Sequence, residues 1–442
     1  MGRRCIGLDV HREFAQIAVW EDGRVRQAGQ IALTAEALGV FVDSLGPEDE
    51  VAIEATCNTH AIVRLIEPHV KRVVVSNPQK TRAIAEAKVK TDKVDAEVLC
   101  QLLAADYLPS VWVADQATQA LRRQVARRAH IVRQRTRLKN QVQSILHRNL
   151  IPRCPAADLF GIKGRVWLGR QPLPPDEELA VRALLRQLDF HAQELRIIDA
   201  ELGRVALASP EVKRLMTIPG VDATIALSIV AAVGEFRRFR TPEQLVSYLG
   251  LNPRVKQSGG QPASHGRITK QGRAHARGML VEAAWVAVKT PGPLRAFFER
   301  VRSRRGMQIA VVATARKLAC LCWTMIERGE DYAFARPSLT EKKLRKLELR
   351  AGMPSHRGRK GKSAGYNLKD VRRRERELAE QAERSYRQLV ADWQAKTPKP
   401  KVGVAAANGT RLKRPSAGQA ARQASVPEPA LRSGVDHTLS KA

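Results

Sequence analysis

Three short runs open the chain, 4–10 (RCIGLDV), 14–20 (FAQIAVW) and 25–33 (VRQAGQIAL), each apolar or alternating, with Asp22-Gly23 in the turn before the third. Alternation at a period of two puts successive side chains on opposite faces, so these runs predict three antiparallel strands. Thr34 then stands as the N-cap of an apolar helical stretch, AEALGVFVDSL. Residues 50–54 (EVAIE) and 72–76 (RVVVS) read as short buried strands with a helical stretch between them. The predicted order is β-β-β-α-β-α-β-α. A meander followed by parallel strands alternating with helices requires a mixed sheet covered on both faces.

Acids stand at the ends of two of these strands. Asp9 closes the first run and Glu54 the fourth, while Asp92 and Asp95 lie three apart in KTDKVDAEVLC at a helix start. The element order resembles the ribonuclease H plan, in which the first and fourth strands are neighbours. Asp9 and Glu54 then meet at the carboxyl ends, and a spacing of three puts Asp92 and Asp95 on one helical face. Four converging carboxylates repel one another unless cations sit between them. Mg²⁺ suits oxygen ligands, and two such ions about 3.5–4 Å apart stabilise both the attacking and the leaving oxygen of a phosphodiester. Singly, the acids have plainer readings: Asp92 as a helix cap, Asp95 as a complement to the helix dipole, Asp9 as a turn starter and Glu54 as a surface residue. Their combination weighs more, because a carboxylate beside an apolar core is costly without a partner.

Lysine and arginine outnumber acids 76 to 44, a formal charge of +32. That surplus repels itself unless a polyanion neutralises it, which makes nucleic acid the first partner to consider. A membrane surface is the competing polyanion, but no run of about 18 apolar residues stands out, and MGRRCIGLDV leads into a strand rather than a signal peptide. A cytoplasmic protein with no membrane partner is expected. The six cysteines lack CxxC spacing and read as small core hydrophobes rather than a disulfide or zinc framework.

The charge is concentrated in residues 116–157, which are helical in pattern and contain no acid; Arg127, Arg128, Arg133 and Arg135 are candidate phosphate contacts there. After a break at 152–175, Val181, Leu184, Leu188, His191, Leu195, Ile198 and Leu202 recur in steps of three and four, a heptad seam. The two helices form either an antiparallel hairpin or a dimerising coiled coil, and a homo-oligomer is expected.

A third unit runs from near Lys213 to about Phe334. In it, Ile218-Pro219-Gly220-Val221 resembles a helix-hairpin-helix turn, whose amides can hold a phosphate at Gly220, with an ordinary turn between helices as the equal alternative. PRVKQSGGQPASHGRITKQGR lacks regular periodicity and reads as a loop, with Ser258 among Gly259, Gly260 and Gly266 and the cations Arg254, Lys256, Arg267 and Lys270. A serine attacking phosphorus needs a mobile approach, proton removal and positive charge around the phosphate; glycines and cations supply the first and third. The residues alone favour a basic loop whose serine only touches phosphate, with Ser264 beside His265 as a rival and Ser247 as a packing residue in a helical pattern. Residues 337–442 read as a basic, mostly disordered tail dispensable for chemistry, with a charged helix-like stretch at 372–394.

IGLDV, AIEAT and KTDKVDAE, in that order and spacing, resemble the DEDD-motif insertion-sequence transposases, whose N-terminal domain is similar to the Holliday-junction resolvase RuvC. IPGVDATIALSIVAAVGEFRRFRTPEQLVSYLGLNPRVKQSGG, followed by RITKQGRAHARGMLVEAAW, resembles the C-terminal domain of the same family, so the likeness covers about residues 4–335. It implies that Asp9, Glu54, Asp92 and Asp95 hold Mg²⁺ and that Ser258 attacks DNA. It also implies assembly on a structured non-coding bridge RNA that pairs with donor and target DNA. The expected architecture is an α/β domain of ribonuclease H or RuvC type (1–115), a basic helix and coiled-coil hairpin (116–208), a mainly α-helical transposase domain (209–336) and the tail. Two rivals remain. A RuvC-like nuclease or junction resolvase would use the carboxylates with water and leave free ends, whereas a non-enzymatic nucleic-acid scaffold would lose nothing in Asp9→Ala.

Overall fold

The computed structural model describes residues 3–85, 91–260, 262–355 and 364–396; Lys90 of KTDKVDAE, the HRGRKGK stretch and the Ala- and Pro-rich end from 397 lie outside the described residues. It is a mixed α/β sheet followed by a mostly helical region.

Strands β1 (Arg4–Val10), β2 (Phe14–Glu21) and β3 (Arg24–Ala32) form the meander, and β4 (Glu50–Glu54) and β5 (Arg72–Ser76) extend it in parallel, giving the order β3-β2-β1-β4-β5. Helices α1 (Ala35–Asp43) and α2 (Thr59–Ile66) are followed by α3 (Pro78–Ile84) and α4 (Asp92–Ala104). Thr34 caps α1 as expected, its side chain accepting from the Ala37 amide. Ile6, Leu8, Val10, Val51 and Ile53 point to one face, where they are buried with Leu38 of α1 and Ile62 of α2. The other face is covered by α4. There the strands present Gly7, Ala18 and Ala52, and a Cβ at Gly7 would stand 2.2 Å from the Ala96 carbonyl oxygen. Small residues on three adjacent strands let the helix backbone rest directly on the sheet.

The long helices α5 (Gln116–Arg148) and α7 (Pro175–Ala208), with short α6 (Ile162–Leu168) between them, form an antiparallel hairpin within the chain. Their antiparallel run is marked by Arg127–Glu194 near one end and Arg148–Glu177 near the other. The heptad residues Val181, Leu188, Ile198 and Leu202 are buried within the chain, at the distal end with Val142 and Ile145 and at the root with Val125 and Ile131.

That root shares one core with α8 (Pro210–Leu215), α9 (Ala223–Val233), α10 (Pro242–Tyr248), the two-stranded sheet β6 (Pro253–Lys256) and β7 (Ser264–Ile268), α11 (Ala274–Ala287), α12 (Pro293–Arg305) and α13 (Met307–Arg328). By length and composition α13 is apolar enough to cross a membrane. Its Val311, Leu318 and Cys322 are buried in this core, the place of a central helix. The cysteines divide: Cys5, Cys100 and Cys322 are core residues, whereas Cys57 is exposed.

Within the segment expected to be mostly disordered, the described residues form α14 (Pro337–Arg350) and α15 (Lys369–Lys396), the latter over the charged helix-like stretch at 372–394. Leu347 is buried, and the Lys343 ammonium donates to the carbonyls of Met216 and Ile218 at 2.6 and 2.7 Å, its pKa pushed down to about 8 by burial. Glu383, only 2 % exposed, accepts from the Gly292 amide at 3.0 Å and from Arg295 at 2.8 Å, and pairs with Arg387. Composition misleads here because a charged helix needs only one inward stripe to dock. Removing one partner of a buried ion pair leaves the other uncompensated, so Glu383→Ala is expected to cost about 3 kcal/mol. Urea denaturation checks this, and an unchanged midpoint would mean that α15 does not hold α12.

Candidate active site

The register Leu8↔Ile53 makes Asp9 and Glu54 the next residues along two neighbouring parallel strands, both on the α4 side of the sheet. Close approach of α4 at Gly7 brings its first turn over the same strand ends. Thr91 caps α4, accepting from the Val94 amide at 3.3 Å, so Asp92 is not needed as the cap. Asp9 is 5 % exposed. Burial pushes its carboxyl pKa up, His11 opposes that, and the nearby charges of Asp95 and Glu54 add to it. The ligand atoms of Asp9, His11 and Asp92 all lie within 4.8 Å of one another. Asp9 and Asp92 thus stand together with His11, and Asp95 and Glu54 are near enough for their charges to act on Asp9.

Three participants were missed. The His11 Nε2 stands 3.1 Å from Asp9 Oδ2 and 3.4 Å from Asp92 Oδ1, and its ring lies against Phe14 with 4.8 Å between centroids. The signal was present in Asp9-Val10-His11, since strand periodicity returns to the same face after two residues. Gln16 is the cross-strand partner of Asp9 and 2 % exposed; its amide donates to Gln27 Oε1 at 2.7 Å, but its own oxygen is buried with no hydrogen-bond partner among the described residues. Gly7 is the third, as the seat of α4. Carboxylate oxygens, an idle amide oxygen on the same face and one imidazole suit a divalent cation with oxygen-rich coordination.

Other nominated residues lie elsewhere. Arg127 and Arg128 pair with Glu194 at 2.7 Å and Asp199 at 2.6 Å of α7, so in the hairpin the acid-free helix meets counter-charges on its partner. Arg133 is exposed and Arg135 half-buried. The segment read as an irregular loop is the β6–β7 hairpin, Lys256 facing Ser264 across it. Ser258 is exposed beside its tip, where Gly259 and Gly260 take φ of +57° and +72°. Arg254, Lys256, Arg267 and Lys270 are exposed around it, and Ser247 is exposed on α10 instead of packed.

Gly220 has φ +88°, and a Cβ there would stand 2.4 Å from the Ala283 carbonyl oxygen of α11. The turn therefore packs inward, and the N-terminus of α9 is already capped by the Asp222 carboxylate, which accepts from Ile225. Gly220 thus serves packing here, and a phosphate at this helix end would meet the like charge of Asp222. Gly220→Ala is expected to destabilise by about 2 kcal/mol or more through strain and overlap, read as a lower thermal midpoint. Unchanged stability would mean that the turn is free to move away from α11.

A DEDD-type family model described as a transposase matches residues 6–150, which span the sheet, α4 and α5. The model of the transposase IS116/IS110/IS902 family matches residues 212–299, including the serine hairpin. The chain is 30% identical over 297 residues to a probable family 20 transposase of Pseudomonas aeruginosa, covering 64% of this chain and 85% of that one. It is 29% identical to the transposase for insertion sequence element IS1111A of Coxiella burnetii, over 61% of this chain and 72% of the relative. It is 22% identical to a pilin gene-inverting protein of Moraxella bovis, over 75% and 90%. With the acid cluster inside one match and Ser258 inside the other, the chain belongs to the IS116/IS110/IS902 family of transposases, enzymes that act on DNA.

Proposed function

We propose that this transposase cuts and rejoins DNA at the ends of an insertion sequence, with Mg²⁺ held by Asp9, Glu54, Asp92 and Asp95 and the Ser258 hydroxyl as nucleophile. The observation that carries the reading is Asp9, a nearly buried carboxylate whose charge is opposed by Asp95 and Glu54 and whose ligand atom lies within 4.8 Å of that of Asp92. A cation among these oxygens would offset the burial and repulsion that His11 counters only in part. The strand order, with acids ending β1 and β4, supports a ribonuclease H or RuvC-like domain over 1–115, followed by the hairpin (116–208) and the transposase domain (209–336).

When bound, Mg²⁺ neutralises charge on the phosphate oxygens. The chain supplies the geometry: Asp9 and Glu54 are fixed by the sheet, Asp92 and Asp95 by α4, and His11 holds the Asp9 and Asp92 carboxylates in place. Ser258 Oγ attacks phosphorus; the bond from phosphorus to the departing strand oxygen breaks, the serine proton passes to that oxygen, and a phosphoserine ester forms. Attack by the hydroxyl of a new strand on that phosphorus releases the serine, so the phosphodiester is conserved without ATP. Serine and carboxylates sit on separate parts of the chain, which favours closure on bound DNA or a second copy of the chain, hence a homo-oligomer. Target choice is assigned to a bridge RNA, as base pairing does in other RNA-guided enzymes. The test is joining of element ends to target DNA by purified protein with and without the transcript of the element's non-coding flank. Joining only with the transcript is expected; equal joining without it overturns RNA guidance.

A further inference from the structure

A cleft of about 410 Å³ runs between α5 and the start of α11, against α9. Arg122, Ala126 and Arg133 of α5, Ser228 of α9, and Arg273 and His275 at the start of α11 line it. Among the described residues no acid lines it, and none occurs in α5, in α9 or in the first two turns of α11. Two of its cations are fixed without any carboxylate: Arg122 donates to the carbonyls of Ala231 and Ala232, both at 2.8 Å, and Arg273 donates to the Tyr248 hydroxyl at 2.8 Å. The neighbouring acid, Asp199, is occupied by Arg128. Desolvation, with smaller contributions from Arg133 and Arg128, holds the His275 pKa below its usual value.

We infer that this cleft is a groove for the sugar-phosphate backbone of the nucleic acid strand that enters the serine hairpin. The inference rests on the reading of the chain as a DNA-processing enzyme. Guanidinium groups held by neutral oxygens have no carboxylate to neutralise them and keep their remaining N–H donors for a phosphate, and phosphate contacts position a strand without reading its bases. The length of the groove points to a polymer rather than a small anion. Arg122 and Arg133 are eleven residues apart on one helix, about 16 Å at 1.5 Å per residue. That spans several phosphates of a strand carrying one per roughly 3.4 Å of axis. Its position fits the same strand, because Arg273 follows only five residues after β7 ends at Ile268.

The test measures binding of short labelled single-stranded DNA, and of RNA of the same sequence, to the full-length protein over a salt series. Ala126→Glu places a carboxylate in the cleft from an exposed helical position, Arg133→Gln removes a cation, and Gln141→Glu makes the same charge change elsewhere on α5. Both cleft variants are expected to weaken binding about five- to tenfold near 0.1 M salt, with the Arg133→Gln salt slope shallower by about 0.7–0.9. Gln141→Glu should stay near wild type. Loss with DNA alone, RNA alone or both supports the groove and identifies the strand. Cleft variants that match Gln141→Glu overturn it while leaving nucleic-acid binding intact, and competition by polyglutamate as effective as by the oligonucleotide overturns it in favour of an acidic peptide. A wild type that binds neither strand removes the underlying functional reading as well.

Discussion

Asp9→Asn is expected to reduce Mg²⁺-dependent cleavage of element-end DNA by roughly a thousandfold or more, about 4 kcal/mol of barrier, while leaving the protein folded. The substitution keeps the shape of a side chain that is 5 % exposed and removes only its charge. In the metal-free protein that charge is disfavoured by burial and by Asp95 and Glu54, so its loss should raise the thermal midpoint, or at worst leave it unchanged. Mg²⁺ should then raise the midpoint of wild type alone, because a ligand stabilises only the state that binds it. Glu54→Gln, Asp92→Asn and Asp95→Asn should each lose cleavage to a similar degree, and pairs should be little worse than singles, as expected of groups acting as one unit. His11→Gln should cost less, about 10–100-fold, as for a residue that orients ligands. Near-normal cleavage by any two of the four acid variants would sink the single-site account, and a midpoint indifferent to Mg²⁺ in wild type would remove the metal from it.

Ser258→Ala is expected to abolish the covalent link between protein and DNA completely while leaving DNA binding and the fold intact, because Ser258 is exposed beside a hairpin tip and supports no core. Reactions on end-labelled DNA, quenched and digested with nuclease, should leave label on wild type and on Ser264→Ala but none on Ser258→Ala. The comparison is demanding because Ser264 lies across the same hairpin, opposite Lys256, in the same basic surroundings. Label persisting on the Ser258 variant would move the nucleophile. Free ends accumulating with no label on any form would favour attack by water.

The sheet was legible because its evidence is local. Alternation, a turn at Asp22-Gly23 and a cap at Thr34 are properties of a few adjacent residues, and the strands appear within a residue of where those patterns put them. The acids were legible for a related reason: a carboxylate that ends an apolar strand is conspicuous wherever the strand goes. Composition served less well. It gave no sign that α7 supplies Glu194 and Asp199 to Arg127 and Arg128, and it read residues 337–442 as mostly disordered although Glu383 is buried and Lys343 reaches carbonyls of earlier residues. Charge counts record how many ions a segment has and not where their partners lie.

By itself the sequence determined the order of strands and helices in the N-terminal sheet, the carboxyl-end positions of Asp9 and Glu54, and the placing of Asp92 and Asp95 on one helical face. Only the tertiary structure decided that α4 rests on Gly7, that His11 stands between Asp9 and Asp92, and that the heptad face closes on α5 of the same chain. It also decided that Gly220 is a packing residue and that Arg122, Arg133 and Arg273 share a cleft without acids. The division follows from range. Backbone periodicity and capping act over three or four residues and leave a trace in the chain, whereas Coulomb forces, desolvation and steric contact depend on distances through space that residue spacing does not encode.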